Sequence, residues 1–84
     1  MPAYGHTLRF GVFLTPSSDN PDEVVGLAEL AEQAGLDLVT FQDHPYQVAL
    51  DTWTLLSWVA GRTQRVRLAA NVLNLPLRQP AVMA

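Results

Sequence analysis

Two adjacent residues, Asp43 and His44, carry the strongest chemistry in the sequence. Histidine is the side chain that titrates near neutrality, and a carboxylate beside a reacting centre can orient the polar edge of a cofactor. Taken on spacing alone, the same pair also fits a solvated loop in which Asp43 bonds its own backbone ahead of Pro45. Asn71 and Asn74 form a second candidate pair. A carboxamide can hydrogen-bond a heterocycle, and asparagine is equally a turn residue. Thr15, Ser17 and Gln42 add further polar groups. Trp53 and Trp58 read as residues that pack a helix onto a sheet rather than as a cofactor-stacking pair, and His6 as a solvated residue close to the terminus.

These groups matter only if the chain brings them together. Residues 8–14 form an apolar run broken by Arg9 and Gly11, which predicts a strand, with turn residues at 16–19. Asn20-Pro21-Asp22-Glu23 then places a capping side chain, a proline at the first helical position and a glutamate three residues after the cap. A helix starts there, with Val24, Leu27, Ala28, Ala31 and Ala34 on its apolar face and Gly35 as its left-handed end. Residues 36–41 predict a second strand, 42–47 a polar break, 51–60 a second helix with Gly61 past its end, and 66–72 a third strand. Pro80 stands in the first turn of what reads as another helix.

This βαβαβ order requires parallel strands with right-handed crossovers, in a sheet covered on both faces. The fold class is α/β, and residues 1–84 read as a single partial domain, the first part of a (β/α)8 barrel. A complete barrel takes ~250 residues, and an isolated three-stranded sheet leaves both edges unpaired. The expected partners are therefore the remainder of a barrel or further copies of the chain in a homo-oligomer. Ligands of parallel β/α folds bind beyond the carboxyl ends of the strands. That rim collects Thr15, Ser17, Gln42, Asp43, His44, Asn71 and Asn74, while Gly35 and Thr63-Gln64-Arg65 fall on the opposite one.

Composition removes several function classes. The net charge is -3, and the basic residues are five scattered arginines, Arg9, Arg62, Arg65, Arg67 and Arg78, so a nucleic-acid partner is not expected. No apolar run approaches the ~20 residues that cross a bilayer, and no secretory signal opens the chain, which together predict a cytoplasmic protein. With no cysteine, disulfides, zinc–thiolate sites and thiol catalysis drop out, and no metal site is expected. With no lysine, Schiff-base chemistry of the aldolase kind has no nucleophile here. Dinucleotide, P-loop, zinc-protease and nucleophile-elbow motifs are all missing. Apolar residues make up 49% of the chain and charged ones 15%, so it must bury surface against something.

An ordered series of short motifs resembles one family. It comprises Phe10-Gly11-Val12-Phe13-Leu14, LAELAEQAGLD over 27–37, Gln42-Asp43-His44-Pro45 and Asp51-Thr52-Trp53-Thr54-Leu55-Leu56. Arg62-Thr63-Gln64-Arg65-Val66-Arg67-Leu68, Asn71-Val72 and Pro80-Ala81 continue it. Together they resemble the N-terminal third of the luciferase-like monooxygenases. The resemblance implies a barrel that binds F420 or FMN at the carboxyl rim and passes hydride to or from the ring, with F420 preferred because of the D-H-P-Y-Q segment. It also implies His44 as acid/base, and Asp43, Asn71, Val72 and Asn74 as cofactor contacts. A non-prolyl cis peptide is implied between Asn71 and Val72. The competing expectation is a non-catalytic truncated module that self-associates through its open strand edges and binds no cofactor.

Overall fold

The computed structural model describes residues 5, 7–44, 49–73, 79 and 81. His6, Pro45, Tyr46, Gln47, Asn74 and Pro80 lie outside them. Five elements follow in order: β1 (Gly11–Leu14), α1 (Pro21–Gln33), β2 (Leu38–Phe41), α2 (Thr52–Arg62) and β3 (Arg67–Ala70). The strands lie in the order β1-β2-β3, and both pairs are parallel. Gly11, Leu38 and Arg67 share one register position, and Leu14, Phe41 and Ala70 another. Each strand is shorter than its apolar run, because the ladder exists only where all three segments overlap. Single rungs continue it at either end, from Asp37 N–H to Phe10 O at 2.7 Å and from Asn71 N–H to Phe41 O at 2.7 Å.

The start of α1 follows from its cap. The Asn20 side-chain oxygen accepts the Glu23 N–H at 3.3 Å, and its amide donates to the Glu23 carboxylate at 3.3 Å. Pro21 takes the first helical position, where a missing N–H costs nothing. The helix closes on Gly35, whose φ of 90° only glycine adopts readily. Gly35 N–H donates to Glu32 O and Leu36 N–H to Ala31 O, both at 3.1 Å, the paired bonds of a Schellman end. The buried stripe is Val24, Val25, Ala28 and Ala31. Leu27 and Ala34, expected on that face, are exposed instead, and Leu27 borders a cleft together with Phe13 on the flank beside β1. The buried stripe therefore includes Val25 in place of Leu27.

In α2 the Asp51 carboxylate caps the start, accepting the Thr54 N–H at 3.0 Å and the Thr54 hydroxyl at 2.9 Å. The helix runs through Gly61 to Arg62 rather than stopping before the glycine. Its end uses extended Thr63, whose hydroxyl donates back to Val59 O at 2.8 Å, so no left-handed residue is needed. Thr52, Leu55 and Val59 face the core. Trp53 is half-buried and Trp58 exposed, so the two tryptophans do not share the task of packing α2 on the sheet.

Both helices cover the same face. Val39, Phe41 and Val59 are fully buried there, with Val12, Leu14 and Leu68 packed against them. Among the described residues the other face is bare: Gly11, Phe13, Leu38 and Arg67 are exposed on it, and Thr40 and Ala69 half-buried. The expectation of a sheet covered on both sides is met on one side only.

At the end of the sheet away from the strand exits, one carboxylate does most of the joining. Glu32, in the last turn of α1, accepts the backbone N–H of Gln64 at 2.9 Å, of Arg65 at 2.7 Å and of Val66 at 3.0 Å. Arg65 returns the contact, its guanidinium donating to Glu32 O at 3.1 Å and Leu36 O at 2.7 Å. The Val66 and Arg65 amides, then Gln64 and the Arg65 charge, hold the Glu32 carboxyl below its ordinary value of 4.5.

Two outcomes follow. A Cβ at Gly11 would lie 2.8 Å from the Leu38 carbonyl oxygen and 2.9 Å from Leu38 Cβ, so Gly11→Ala forces β1 away from β2. Urea denaturation should show a loss of about 1–3 kcal/mol; an unchanged midpoint would mean the two strands are not held this closely. For Glu32, a folded value below the unfolded one means that its contribution is present above pH 4.5 and is lost as pH falls through the folded value. Glu32→Gln should therefore melt at lower temperature than the wild type at neutral pH, with the gap closing in acid; a gap that is constant with pH contradicts the carboxylate role.

Candidate functional site

The segment from Leu38 to His44 alternates without a break. Leu38, Thr40, Gln42 and His44 are exposed or half-buried, while Val39, Phe41 and Asp43 are buried. The pleat thus persists past the ladder, and it separates the two residues expected to face the mouth together. Asp43, 4% exposed, follows Val39 and Phe41 to the helix side, and it is not a free carboxylate there. His44 is exposed, so the alternation in burial places it with Leu38 and Thr40. Burial at this level contradicts the solvated-loop reading of Asp43. The alternation is legible in the sequence Leu38-Val39-Thr40-Phe41-Gln42-Asp43-His44, and that signal distinguishes the two roles.

The neighbouring strands keep the same rule. Thr15 is exposed after Phe13, and Asn71 is exposed after Arg67 and Ala69. One step beyond the shared register of Leu14, Phe41 and Ala70, the carboxyl rim therefore carries Thr15, Gln42 and Asn71 side by side, with His44 next along β2. The peptide joining Asn71 to Val72 is cis, the geometry implied by the resemblance, and Val72 is exposed. Beneath this row, Phe13, Thr40 and Ala69 share a register position and form its floor. Asn74, assigned as a cofactor contact, lies outside the described residues.

Backbone and hydroxyl bonds hold the rim in place. Leu50 N–H donates to Pro16 O at 2.8 Å, and Ser17 pairs with Ala49 in an isolated antiparallel bridge, so the segment leading into α2 is tied to the exit of β1. The hydroxyl of Thr52, 1% exposed, donates to Gln42 O at 3.1 Å. A buried hydroxyl without a partner costs about 1–3 kcal/mol, so this bond accounts for a polar group at a core position. No local pattern announces this bond, since Thr52 and Gln42 lie ten residues apart and meet only through the fold.

The row of a hydroxyl, an imidazole and a carboxamide above an aromatic and aliphatic floor suits a planar ring with polar edges. His44 can hold or release a proton at a ring nitrogen, and Asn71 can both donate and accept. Among the described residues no three acidic or histidine side chains converge as a metal site. A cleft of about 560 Å³, bordered by Thr15, Ser17, Asn20 and Leu27, adjoins the β1 end of the rim but includes neither His44 nor Asn71. Also among the described residues, no helix is long and apolar enough to cross a membrane.

Comparison with known proteins agrees with this geometry. An F420-dependent glucose-6-phosphate dehydrogenase from Kineococcus radiotolerans is 35% identical over 88 aligned positions, which cover 96% of this chain and 26% of that protein. The chain thus spans about a quarter of the length of that curated relative. No solved structure matches. The profile of the luciferase-like monooxygenases matches residues 4–84. A match over all but the first three residues, on parallel strands whose exits share one rim, means that the chain belongs to the luciferase-like monooxygenase family.

Proposed function

We propose that the chain forms the opening βαβαβ part of a (β/α)8 barrel in an F420- or FMN-dependent oxidoreductase, in which the row of Thr15, His44 and Asn71 borders the ring of the cofactor. The observation that carries this reading is the shared exposure of those three residues at the carboxyl ends of parallel strands, with Asp43 buried beside them. Membership of an oxidoreductase family supports the reaction class, and the F420-dependent relative supports the deazaflavin over FMN.

When bound, the ring accepts or gives up hydride. The residues of this chain do the rest. His44, exposed at the rim, is the acid/base that holds or moves a proton at an imidazole nitrogen. Asp43, buried beside it, contributes the cofactor contact that the resemblance implies. Asn71 and the Val72 backbone meet the polar edge of the ring, and Asn74 adds the further contact implied by the resemblance. Phe13 and Ala69 supply an apolar floor that keeps water from beneath it. The remaining strands would close over the bare face of the sheet, where Phe13 is 52% and Leu38 37% exposed.

The bare edges of β1 and β3 also support a second reading, in which the chain self-associates as a module without a cofactor. Size-exclusion chromatography with F420 and FMN fluorescence titration separates the two. The first reading requires saturable binding of one of the two rings by the full-length protein, and absence of binding by either sinks it. His44→Ala in the full-length protein should lower turnover by about 10²–10⁴-fold while leaving ring affinity within several-fold of the wild type. Unchanged turnover would remove His44 from the mechanism.

A further inference from the structure

Thr52 occupies the first position of α2, and its side chain has two tasks open to it. It could help to start the helix, or it could reach across to another element. The first is already done by Asp51, whose carboxylate takes both the N–H and the hydroxyl of Thr54. The second is what Thr52 does, donating its hydroxyl to the carbonyl oxygen of Gln42 at 3.1 Å.

That carbonyl has a particular place. The last rung of the β2–β3 ladder is Asn71 N–H to Phe41 O, so Gln42 O lies one residue beyond the sheet. The peptide it belongs to is the one that leads into Asp43. Fixing the carbonyl fixes the plane of that peptide, and with it the alternation that sends Asp43 inward and His44 outward. A valine would fill the volume of the threonine at this 1% exposed site, so packing alone does not call for a hydroxyl.

We infer that Thr52 is a positioning residue for His44: its buried hydroxyl holds the Gln42–Asp43 peptide so that the imidazole stands on the bare side of the rim. The inference rests on the proposed acid/base role of His44, which Thr52 serves without touching the reacting atoms. Neighbouring bonds at the same rim, from Leu50 N–H to Pro16 O and between Ser17 and Ala49, tie the α2 entrance to β1. Thr52 adds the corresponding tie to β2, the strand that bears the histidine.

The test compares Thr52→Val, which keeps the shape and loses the donor, with Thr52→Ser, which keeps the donor. In the cofactor-free full-length protein, the imidazole resonances of His44 should shift or broaden in Thr52→Val and remain at wild-type positions in Thr52→Ser. In the holoenzyme, Thr52→Val should lose roughly 10- to 100-fold in kcat, with the ring dissociation constant nearly unchanged, and Thr52→Ser should stay close to wild type. Wild-type resonances and kcat in Thr52→Val would overturn the inference. So would equal damage in Thr52→Ser, and this arm decides the matter even if Thr52→Val fails to fold. The resonance measurement is independent of turnover: a His44→Ala protein with full activity would refute the acid/base reading while leaving the positioning result standing.

Discussion

The bond from Asn71 N–H to Phe41 O, 2.7 Å long, extends a ladder that holds three parallel strands in one register, and the rim is a consequence of that register. Parallel strands end on the same side of a sheet, so whatever follows Leu14, Phe41 and Ala70 arrives at a common level. Side chains alternate with a period of two, and a slip of one residue would exchange the faces of an entire strand. In β2 such a slip would bury His44 and expose Asp43. The packing of Val39 and Phe41, both fully buried beneath the helices, resists it, because turning either to the bare face would give up its whole apolar contact. The core thereby decides which polar group at the strand exit is exposed.

The two ends of the sheet divide the work. At the entry end, Glu32 gathers the amides of Gln64, Arg65 and Val66, and Arg65 spans back to Glu32 O and Leu36 O. These bonds join the end of α1 to the loop that feeds β3 and satisfy groups that face away from the rim. At the exit end His44 and Asn71 are exposed. Parallel β/α folds keep stability at one end and chemistry at the other for this reason: exits can vary in residue type while entries hold the strands in line.

Local signals in the sequence were read well wherever one turn of chain contains the whole argument. The Asn20-Pro21-Asp22-Glu23 cap and the Gly35 end both place α1 correctly, since each depends on residues within a few positions. Gly61 failed the same test: a glycine near a helix end suggests a stop, but Asp51 and the Thr63 hydroxyl settle α2 at other positions. Leu27 is exposed and Val25 buried because helical spacing gives the width of an apolar stripe, while the elements packed against it set its rotation. Glu32 has no place in the apolar pattern that predicts α1. Its partners lie more than thirty residues away, and no pattern within α1 announces them. At the site, the strand order and the rim were legible, whereas the division between Asp43 and His44 needed the alternation to be followed past the end of the strand.

The bare face of the sheet links the fold to the proposed function. Phe13 and Leu38 are large apolar groups on it, and a patch of this kind marks a surface that something covers. On the barrel reading, different layers of the face have different covers. The layer of Gly11, Leu38 and Arg67 lies farthest from the rim, and other strands of a barrel would pack beside it. The layer of Phe13, Thr40 and Ala69 lies just beneath the rim, where a planar ring can replace a strand's side chains as the cover. The row of Thr15, His44 and Asn71 then meets the edges of that ring, which are polar and need donors and acceptors rather than apolar contact. The change along one face, from a layer that carries Arg67, through Phe13 and Ala69, to the hydrogen-bonding side chains of Thr15, His44 and Asn71, follows from three short strands in register.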